Sequence, residues 1–414
     1  MINRRAALTS AASLFGVALA PKALTSAPLP PKELLRNEPE KFWLRIREEQ
    51  FYMPDWRVFL NNGSLGVMPK PVFQAVADYM RTGASLVNDT YPRWGYEVME
   101  EQRGELAAFF GCKRDELALV HSATTAMSII AAGLDLHPGD EVLITDQEHP
   151  SGRGCWEMKA ARFGTTVRAV KVPQTPRSRA EVVDIVTSAI GPKTRVVSFS
   201  GINTTTGLIM PIKEICAFAR SRGVISVVDG AHMHGQIPVN ISDLGPDFMA
   251  GSPHKWMFAP AGSGLLYIRE EWLDRLWPTI VSGSWNDKNL KAARFMIIGT
   301  NNRAIMEGML AGLHFGQALG YENVYKRMHN LAKLCLQKAR QMPELIDVLT
   351  PDDDSMFGSI AAIRFKKDVK PLLALCRKRR IWHTGTEMMR ISTHIHTRPG
   401  DLDIFFQTVK EALA

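Results

Sequence analysis

Short apolar runs alternate with amphipathic stretches between about residues 117 and 268. The apolar runs predict strands at 117–120, 142–145, 167–172, 195–200, 224–228, 248–250 and 264–268. A helical period of apolar positions fills the intervals at 124–134, 155–163, 180–190 and 212–222. This alternation predicts an α/β fold whose mostly parallel seven-stranded sheet carries helices on both faces. Ligands of such sheets bind beyond the carboxyl ends of the strands.

Beyond residue 300 the pattern changes to helical stretches that frame one strand-like run. The helical stretches lie at 304–316, 324–341 and 402–413, and the strand-like run lies at 360–365. This pattern predicts a smaller α/β C-terminal domain. We therefore divide the chain into an export signal, an N-terminal segment that packs on the small domain, a large domain and the small domain, at 1–27, 28–60, 61–300 and 301–414.

Size and composition are typical of a two-domain globular protein. The 414 residues are 45% hydrophobic and 22% charged, which allows a large core and gives no sign of disorder. The net charge is +8, and the densest basic run, 377–380, is typical of a solvated helix end. No nucleic-acid-binding motif accompanies it, so we predict no nucleic-acid partner. The five cysteines lack metal-ligand spacing, so we predict no metal site.

The first twenty residues have the layout of an export signal. A basic start with Arg4 and Arg5 precedes an uncharged, mildly apolar run from 6 to 20, which is too short for a stable membrane span. The paired arginines followed by Leu8 resemble a twin-arginine signal, which implies the twin-arginine translocase as a partner and a periplasmic or exported protein. A general secretion signal and a retained anchor are the alternatives, and a cytoplasmic location follows if the signal is not used.

Lys255 and Asp229 form the most informative pair in the chain. Asp229 ends an apolar run, which puts a carboxylate at the carboxyl end of a strand, and Lys255 follows the next short run, between small and aromatic residues. A lysine amine forms a Schiff base (internal aldimine) with pyridoxal phosphate, and a carboxylate holds the proton on the pyridine nitrogen so that the ring accepts electrons. The pair predicts a pyridoxal-phosphate enzyme in which both residues are catalytic and bind the cofactor.

The same two segments resemble the class V aminotransferase family, a branch of the fold-type I pyridoxal-phosphate enzymes. The resemblance rests on Val228-Asp229-Gly230-Ala231-His232 and Ser252-Pro253-His254-Lys255-Trp256. It extends from about residue 61 to 397 and is closest to the isopenicillin N epimerase-like subgroup. It implies the fold-type I architecture, pyridoxal phosphate as cofactor and a homodimer with shared active sites.

Phosphate-binding residues are predicted at a helix start. The segment 122–126 follows a strand and opens a helix, where backbone amides and hydroxyls meet the positive helix end. The resemblance assigns the phosphate to this segment, to the lysine loop and to a threonine that reaches the neighbouring subunit's cofactor. These residues are Ala123, Thr124, Thr125, Ser252, His254 and, across the dimer, Thr300.

The resemblance also assigns side chains to the cofactor ring. His149, just past the strand predicted at 142–145, is similar to the histidine that stacks on the pyridine, and we count it among the catalytic residues. His232 is similar to the residue that bonds the 3′-oxygen of the ring, and Asn203 matches an asparagine beside the same oxygen. These three residues are expected to enclose the ring together with Asp229.

Substrate contacts are predicted mainly from Arg390. An arginine fork is a natural bidentate partner of an α-carboxylate, and Arg390 matches the family's Arg-x-Ser segment. Asn62 lies in a segment that resembles the family's N-terminal active-site segment, and Tyr91 and Arg93 can add contacts from a nearby loop. The stretch 381–389 lacks the nucleophilic cysteine that the family's desulfurases carry before this arginine, so we do not expect persulfide chemistry.

These residues predict an enzyme that acts at the Cα of an amino acid or of a compound with an amino-acid terminus. Lys255 would remove the Cα proton while Asp229 keeps the ring protonated. Reprotonation from the other face gives epimerisation, protonation at the cofactor carbon gives transamination, and loss of a β-substituent gives C–S lyase chemistry. A periplasmic enzyme that tailors siderophores or peptides and a non-catalytic binding protein with this fold are further alternatives.

Overall fold

The computed structural model describes residues 27–85 and 99–413. Every strand that the apolar runs predict is present. In chain order the strands are β1 Val58–Phe59, β2 Leu117–Val120, β3 Glu141–Thr145, β4 Thr166–Val170, β5 Thr194–Ser200, β6 Ile225–Gly230, β7 Phe248–Gly251, β8 Gly264–Ile268, β9 Ile346–Val348, β10 Ile360–Phe365, β11 Ile381–Trp382, β12 Thr384–Gly385 and β13 Met388–Ser392.

The predicted helices are also present, and those that begin at Pro150, Tyr321 and Pro399 start about one turn earlier than the periodicity indicated. In chain order the helices are α1 Lys32–Asn37, α2 Pro39–Gln50, α3 Lys70–Ser85, α4 Glu100–Phe110, α5 Ala123–Gly133, α6 Pro150–Phe163, α7 Arg179–Ser188, α8 Ile212–Ser221, α9 Ile241–Leu244, α10 Pro253–Trp256, α11 Arg303–Leu319, α12 Tyr321–Arg340, α13 Lys370–Lys378 and α14 Pro399–Leu413. Polar or proline-containing first turns carry few apolar residues, so they escape a search for apolar periodicity.

The large sheet has seven strands in the order β2-β8-β7-β6-β5-β3-β4. Neighbours from β7 to β4 are parallel, whereas β8 runs antiparallel to β2 and β7. The carboxyl ends of β3, β5, β6 and β7 therefore meet at one edge. The register places Ser200 of β5 beside Asp229 of β6, and Gly230 beside Gly251, from which the chain enters α10.

A smaller sheet forms in the C-terminal part of the chain. It has the order β12-β13-β10-β9, and all its neighbours are antiparallel. Two short parallel strands, β1 and β11, form a separate pair. The predicted α/β class, with a large mostly parallel sheet and a smaller C-terminal α/β unit, is confirmed.

Two clusters of buried apolar side chains form the core. The larger surrounds the seven-stranded sheet and includes Ile46 of α2, Met309 of α11 and Val324 of α12. The smaller lies between the four-stranded sheet and helices α12, α13 and α14, and it takes in Val58 and Leu60. The segment 28–60 thus contributes to both clusters rather than packing on the small domain alone, and α11 packs with the large one. The domain boundary at residue 300 stays a prediction.

Within residues 27–85 and 99–413, no helix combines the length and the apolar character that crossing a membrane requires. The same ranges contain no group of three or more histidine, cysteine or acidic side chains that could hold a metal ion. Of the five cysteines, all unpaired, Cys112 is half-buried and the other four are buried.

Candidate active site

A cavity opens at the edge of the large sheet where β3, β5, β6 and β7 end. Its walls come from these strand ends, from the starts of the helices that follow them and from Ser64. The structure thus brings together residues that lie far apart in the chain. The predicted site residues that line the cavity are Asp229, Lys255, His149, His232, Ala123, Thr124, Ser252 and His254.

Lys255 is held in the short helix α10. Its Nζ lies 3.3 Å from Nε2 of His232. Burial lowers the pKa of the amine to about 8, against the opposing charge of Asp229 and with a smaller contribution from Arg390. A far larger fraction of this amine is therefore neutral at pH 7 than in a solvated lysine. The neutral amine is the form that acts as a nucleophile or a base.

Asp229 is buried at the end of β6. Its Oδ1 accepts a hydrogen bond of 3.0 Å from the Ala231 amide. Its Oδ2 faces Gly152 in the first turn of α6, so closely that a Cβ on that glycine would lie 3.0 Å from the oxygen. The turn thus fixes one oxygen of the carboxylate. The other oxygen faces Gly152, where the Cβ of any larger residue would crowd it.

Glu148 is a second carboxyl at this edge, and our reading of the sequence did not single it out. It accepts hydrogen bonds from the hydroxyl of Thr145, at the end of β3, and from that of Ser200, at 2.7 Å. Burial raises the pKa of Glu148 to about 7, the two hydroxyls oppose this, and the charge of Asp229 adds to it. The edge therefore does not carry two full negative charges at neutral pH. An acidic residue directly before His149 was the signal that could have identified it.

His149 ends the loop after β3 and precedes the first residue of α6. The Ser151 amide donates a hydrogen bond of 3.1 Å to its Nδ1, so the proton of the neutral ring lies on Nε2. Burial lowers the pKa of His149, and the charge of Lys255 adds to this while Asp229 opposes it. The ring is therefore a neutral, flat surface at pH 7, which suits stacking on an aromatic ring.

Thr204 stands where Asn203 was expected. The Thr204 side chain lines the cavity, and its hydroxyl lies 3.1 Å from Nε2 of His232. Asn203 is fully buried instead, and its amide donates a hydrogen bond of 3.1 Å to Gln147. Consecutive side chains after a strand point in different directions, so a shift of one residue decides which of them reaches the cavity. The structure corrects the prediction for Asn203 in this way.

The start of α5 forms one end of the cavity. Ser122 caps the helix by accepting a hydrogen bond of 3.1 Å from the Thr125 amide, and Ser252 accepts one of 3.1 Å from the Ala123 amide. The amide between these two belongs to Thr124, whose side chain also lines the cavity. Amides in the first turn lack partners within the helix, so the Thr124 amide and hydroxyl are suited to hold an anion.

Two of the predicted phosphate ligands, Thr125 and Thr300, do not line this cavity. The Thr125 hydroxyl turns toward the Ser122 hydroxyl, 3.2 Å away. Thr300 is exposed and lies outside the lining of its own chain's cavity, so its contact with a neighbouring subunit's cofactor stays a prediction. Tyr91 and Arg93 lie outside the described residues.

Arg390 is a largely buried cation whose hydrogen-bond partners among the described residues are all neutral. Nη1 donates a hydrogen bond of 2.8 Å to the Thr204 hydroxyl, and Nη2 donates to Asn61 Oδ1 at 3.0 Å and to the Ser64 hydroxyl at 2.7 Å. Burial lowers its pKa to about 10, so the guanidinium stays charged at pH 7. Its Nε is buried and has no hydrogen-bond partner within residues 27–85 and 99–413. A buried charge among neutral groups favours an anionic ligand, and a carboxylate matches the fork.

Asn62 supports Lys255 from behind and does not line the cavity. It is buried, and its side-chain amide donates a hydrogen bond of 2.6 Å to the Lys255 carbonyl. The substrate-side position predicted for Asn62 is held by Asn61 and Ser64, which both contact Arg390. The segment around Asn62 thus contacts Arg390 through Asn61 and Ser64 and not through Asn62 itself.

The cysteines described here are poorly placed for nucleophilic chemistry. The Cys155 thiol, in α6, donates to the Gly152 carbonyl at 3.3 Å, and burial raises its pKa to about 12. The stretch 381–389, which forms β11, β12 and the start of β13, contains no thiol. A persulfide route through that stretch therefore has no nucleophile.

Residues 58–397 match the aminotransferase class V family. The chain belongs to the class V aminotransferase family. Isopenicillin N epimerase of Amycolatopsis lactamdurans is 29% identical over 402 residues, which cover 89% of this chain and 98% of the relative. Isopenicillin N epimerase of Streptomyces clavuligerus is 38% identical over 228 residues, or 55% of this chain and 57% of the relative. A cysteine desulfurase of Haloferax volcanii is 28% identical over 323 residues, which cover 73% of this chain and 74% of the relative.

Solved structures share the fold of this class V enzyme. The cystine C-S lyase C-DES in complex with cysteine persulfide has a TM-score of 0.76 and 24% identity, covering 86% of this chain and 98% of that one. The cysteine desulfurase of Thermococcus onnurineus NA1 has a TM-score of 0.75 and 20% identity, covering 93% and 98%. At these identities the likeness establishes the fold, while membership of the family makes the protein an enzyme that depends on pyridoxal phosphate.

The cavity of this class V enzyme fits pyridoxal phosphate by the chemistry of its donors and acceptors. The amine of Lys255 is available for the covalent link. Asp229 Oδ2 faces a wall where a single Cβ would intrude, which leaves it accessible to a ring N–H. The first turn of α5 supplies the amide and hydroxyl of Thr124 for a phosphate, with His254 on the same lining.

Proposed function

We propose that this class V enzyme removes the Cα proton of an α-amino carboxylate and returns a proton to the opposite face, which is an epimerase-like reaction. The observation that carries the proposal is Arg390, a largely buried guanidinium with neutral partners that lies near Lys255. An α-carboxylate matches its charge and its fork. Relatedness to two isopenicillin N epimerases supports the epimerase-like outcome.

Each residue of the site has a distinct task in this proposed reaction. Bound pyridoxal phosphate supplies an electron sink for the charge left at Cα. Arg390 binds the substrate carboxylate and so orients the Cα–H bond. The Lys255 amine, partly neutral at pH 7, takes the Cα proton. With the cofactor bound, Asp229 would hold a proton at the ring nitrogen, His149 would offer its neutral ring to the cofactor ring, and Thr124, Ser252 and His254 would hold the phosphate.

Transamination and C–S lyase chemistry begin with the same proton removal, so the Arg390 observation does not separate them from epimerisation. Two features favour epimerisation over the sulfur chemistry of the desulfurase relatives. The stretch 381–389 has no thiol, and the Cys155 thiol is buried with a raised pKa. A peptide or siderophore with a free amino-acid terminus is a substrate class that suits an exported enzyme.

The deciding experiment follows the Cα hydrogen in heavy water. The holoenzyme is incubated with D- and L-amino acids and with peptides that end in a free amino-carboxylate, while NMR and chiral chromatography follow the products. We expect loss of the Cα proton with inversion, and none with the Lys255→Ala variant. Propylamine, which lacks the carboxylate, is the matched control and should not exchange.

Each other outcome has a defined meaning. Release of a keto acid would show that the enzyme catalyses transamination and not epimerisation. Release of a β-substituent would show that it is a lyase. A holoenzyme that exchanges no amino carboxylate at all contradicts the proposal.

We further propose that the enzyme is a homodimer and that it is exported. The dimer proposal rests on Thr300, which is exposed in the single chain and matches the family residue that reaches the partner's cofactor. The export proposal rests on Arg4, Arg5 and the apolar run after them. A twin-arginine route suits a cofactor enzyme because it carries proteins that have already folded. A periplasmic location follows from that route.

A further inference from the structure

Trp256 lies directly after Lys255 and is completely buried. Its indole Nε1 is 3.3 Å from Nδ1 of His232. An indole N–H can only donate, so Nδ1 of His232 has to accept, and the single proton of the neutral imidazole lies on Nε2. A second proton is disfavoured because burial, followed by the charges of Lys255 and Arg390, lowers the pKa of His232 well below 6.5.

The Nε2–H of His232 has two neighbours. The Thr204 hydroxyl is 3.1 Å away and Nζ of Lys255 is 3.3 Å away. The same hydroxyl oxygen also accepts from Nη1 of Arg390 at 2.8 Å, because a guanidinium can only donate. A hydroxyl oxygen that accepts from both groups keeps its own proton for a third partner. Thr204 lines the cavity, so that proton is available to a ligand there.

The orientation of the indole is fixed from behind by stacked rings. The ring of His394 packs on Trp256 at 6.0 Å and 20°, and the ring of His396 packs on His394 at 5.4 Å and 17°. His394 Nε2 also lies 3.2 Å from the Trp256 carbonyl. The stacked rings pack against the completely buried indole, whose N–H lies next to Nδ1 of His232.

We infer that Trp256 is a positioning residue: by fixing the His232 proton on Nε2, it makes the His232–Thr204 pair donate toward an anionic oxygen in the cavity. With the proton on Nδ1, Nε2 of His232 would carry a lone pair and would accept a hydrogen bond from the Thr204 hydroxyl. That hydroxyl would then no longer donate into the cavity. The inference deepens the proposed function, on which it rests for the source of that oxygen. The oxygen belongs either to the cofactor ring or to the substrate carboxylate, and both are anionic acceptors.

The first test measures where the His232 proton lies. The full chain is labelled with ¹⁵N-histidine, the His232 signals are assigned by their loss in His232→Gln, and spectra are recorded with and without pyridoxal phosphate. We expect wild-type His232 to be unprotonated at Nδ1 and protonated at Nε2. A proton on Nδ1 of the wild-type protein overturns the inference, and this result needs no turnover.

The second test removes the indole donor and keeps an aromatic ring. In Trp256→Phe we expect the His232 proton to redistribute between the two nitrogens. The matched control is Trp156→Phe, because Trp156 is also completely buried and donates its N–H to a side chain, Ser198, at 2.9 Å. The control should leave the His232 signals unchanged. A folded Trp256→Phe protein with wild-type His232 signals contradicts the positioning role.

The third test identifies the anionic oxygen by removing the Thr204 hydroxyl. Thr204→Val keeps the shape of the side chain. An about tenfold weaker hold on pyridoxal phosphate in the absence of amino acids assigns the bond to the cofactor ring, and an equal weakening of amino-acid binding alone assigns it to the carboxylate. If neither affinity changes, the hydroxyl does not donate into the cavity and the inference fails. Because both affinities are measured without turnover, failure of the proposed reaction shows separately.

Discussion

Burial moves the pKa values of two ionisable groups at the carboxyl edge of the large sheet in opposite directions. It lowers the pKa of the Lys255 amine to about 8 and raises that of the Glu148 carboxyl to about 7. In both groups the charged form loses hydration, so burial favours the neutral form over the charged one. Groups tuned toward neutrality in this way are typical of sites that move protons. The cavity therefore has the electrostatic character of an active site, whichever substrate it takes.

The Lys255 amine gives a pH prediction. Only the neutral amine captures pyridoxal phosphate, so the rate of capture by the apo protein should rise with pH through a midpoint near 8, well below the 10.5 of a solvated lysine. Stopped-flow absorbance measures it, with Lys255→Ala as the blank. Arg390→Gln should move the midpoint upward, because the charge of Arg390 lowers this pKa. A midpoint near 10 would show that the amine is solvated.

Arg390 gives a prediction about affinity. Arg390→Gln should weaken binding of α-carboxylate ligands by about 2–5 kcal/mol, since the carboxylate loses a charged fork in a buried site. The cofactor content should stay normal because the residues proposed to hold the phosphate lie at the start of α5, away from Arg390. Titration of the cofactor absorbance with amino acids measures the change. Arg364→Gln, on the neighbouring strand and paired with Asp347 at the surface, is the matched control and should bind normally.

The predicted site residues with the least replaceable chemistry are brought together by the structure, while their catalytic and binding roles stay predictions. Lys255, Asp229 and Arg390 each need one functional group at one place, and the structure brings all three to the same region. Asn203 and Asn62 were displaced by one position, to Thr204 and Asn61. Hydrogen-bonding side chains substitute for one another, so a motif indicates the segment and the backbone path decides the residue.

At the scale of elements, the sequence predicted where the strands end. It did not predict the contacts from distant parts of the chain that support those ends. Apolar runs indicated β3, β5, β6 and β7, and parallel strands have to share a carboxyl edge. The contact between Asn62 and the Lys255 carbonyl spans 193 residues in the chain. No local pattern encodes such a contact, and the same holds for the packing of α11 on the large core. These features follow from how the elements meet in space.

Gly66 gives a prediction at this scale because it holds the lysine helix α10 at close range. Its amide donates a hydrogen bond of 2.9 Å to the His254 carbonyl, and a Cβ on Gly66 would lie 2.3 Å from the Lys255 carbonyl oxygen. Gly66→Ala should therefore push α10 away, destabilise the apo protein by about 1–3 kcal/mol and reduce cofactor content. Urea unfolding and absorbance measure both.

The matched control is Gly104→Ala in the middle of α4. A Cβ there meets nothing within 4 Å, so this change should be neutral or should stabilise by about 0.5–1 kcal/mol. Equal behaviour of the two variants would contradict the close approach of Gly66 to α10.

For the whole molecule, the dimer proposal predicts complementation between subunits. Thr300→Ala should weaken the hold on pyridoxal phosphate about 3–10-fold, because one hydrogen bond to the phosphate is lost. If Thr300 acts across the dimer, mixing Thr300→Ala with Lys255→Ala subunits creates one complete site. If it acts within its own chain, no complete site forms. Cofactor affinity of the purified mixed dimer distinguishes the two arrangements.

The export proposal predicts the location of a double variant. Arg4→Lys with Arg5→Lys keeps the charge and the apolar run, so a general secretion signal should still work. The twin-arginine route needs the arginines, and we expect folded, cofactor-loaded protein to accumulate in the cytoplasm. Fractionation followed by absorbance checks this. Normal delivery to the periplasm would rule out the twin-arginine route and leave the enzymatic proposal untouched.

The neutral partners of Arg390 have a consequence for selectivity. Before any ligand arrives, both terminal nitrogens of the guanidinium are already satisfied by Thr204, Asn61 and Ser64. A ligand therefore binds by exchange, and its affinity is the difference between the bonds it makes and the bonds it displaces. A neutral amide or aldehyde gains almost nothing in that exchange, whereas a carboxylate gains charge and a second oxygen. Molecules without a free carboxylate are thus rejected by competition from the protein itself, with no need for a steric barrier.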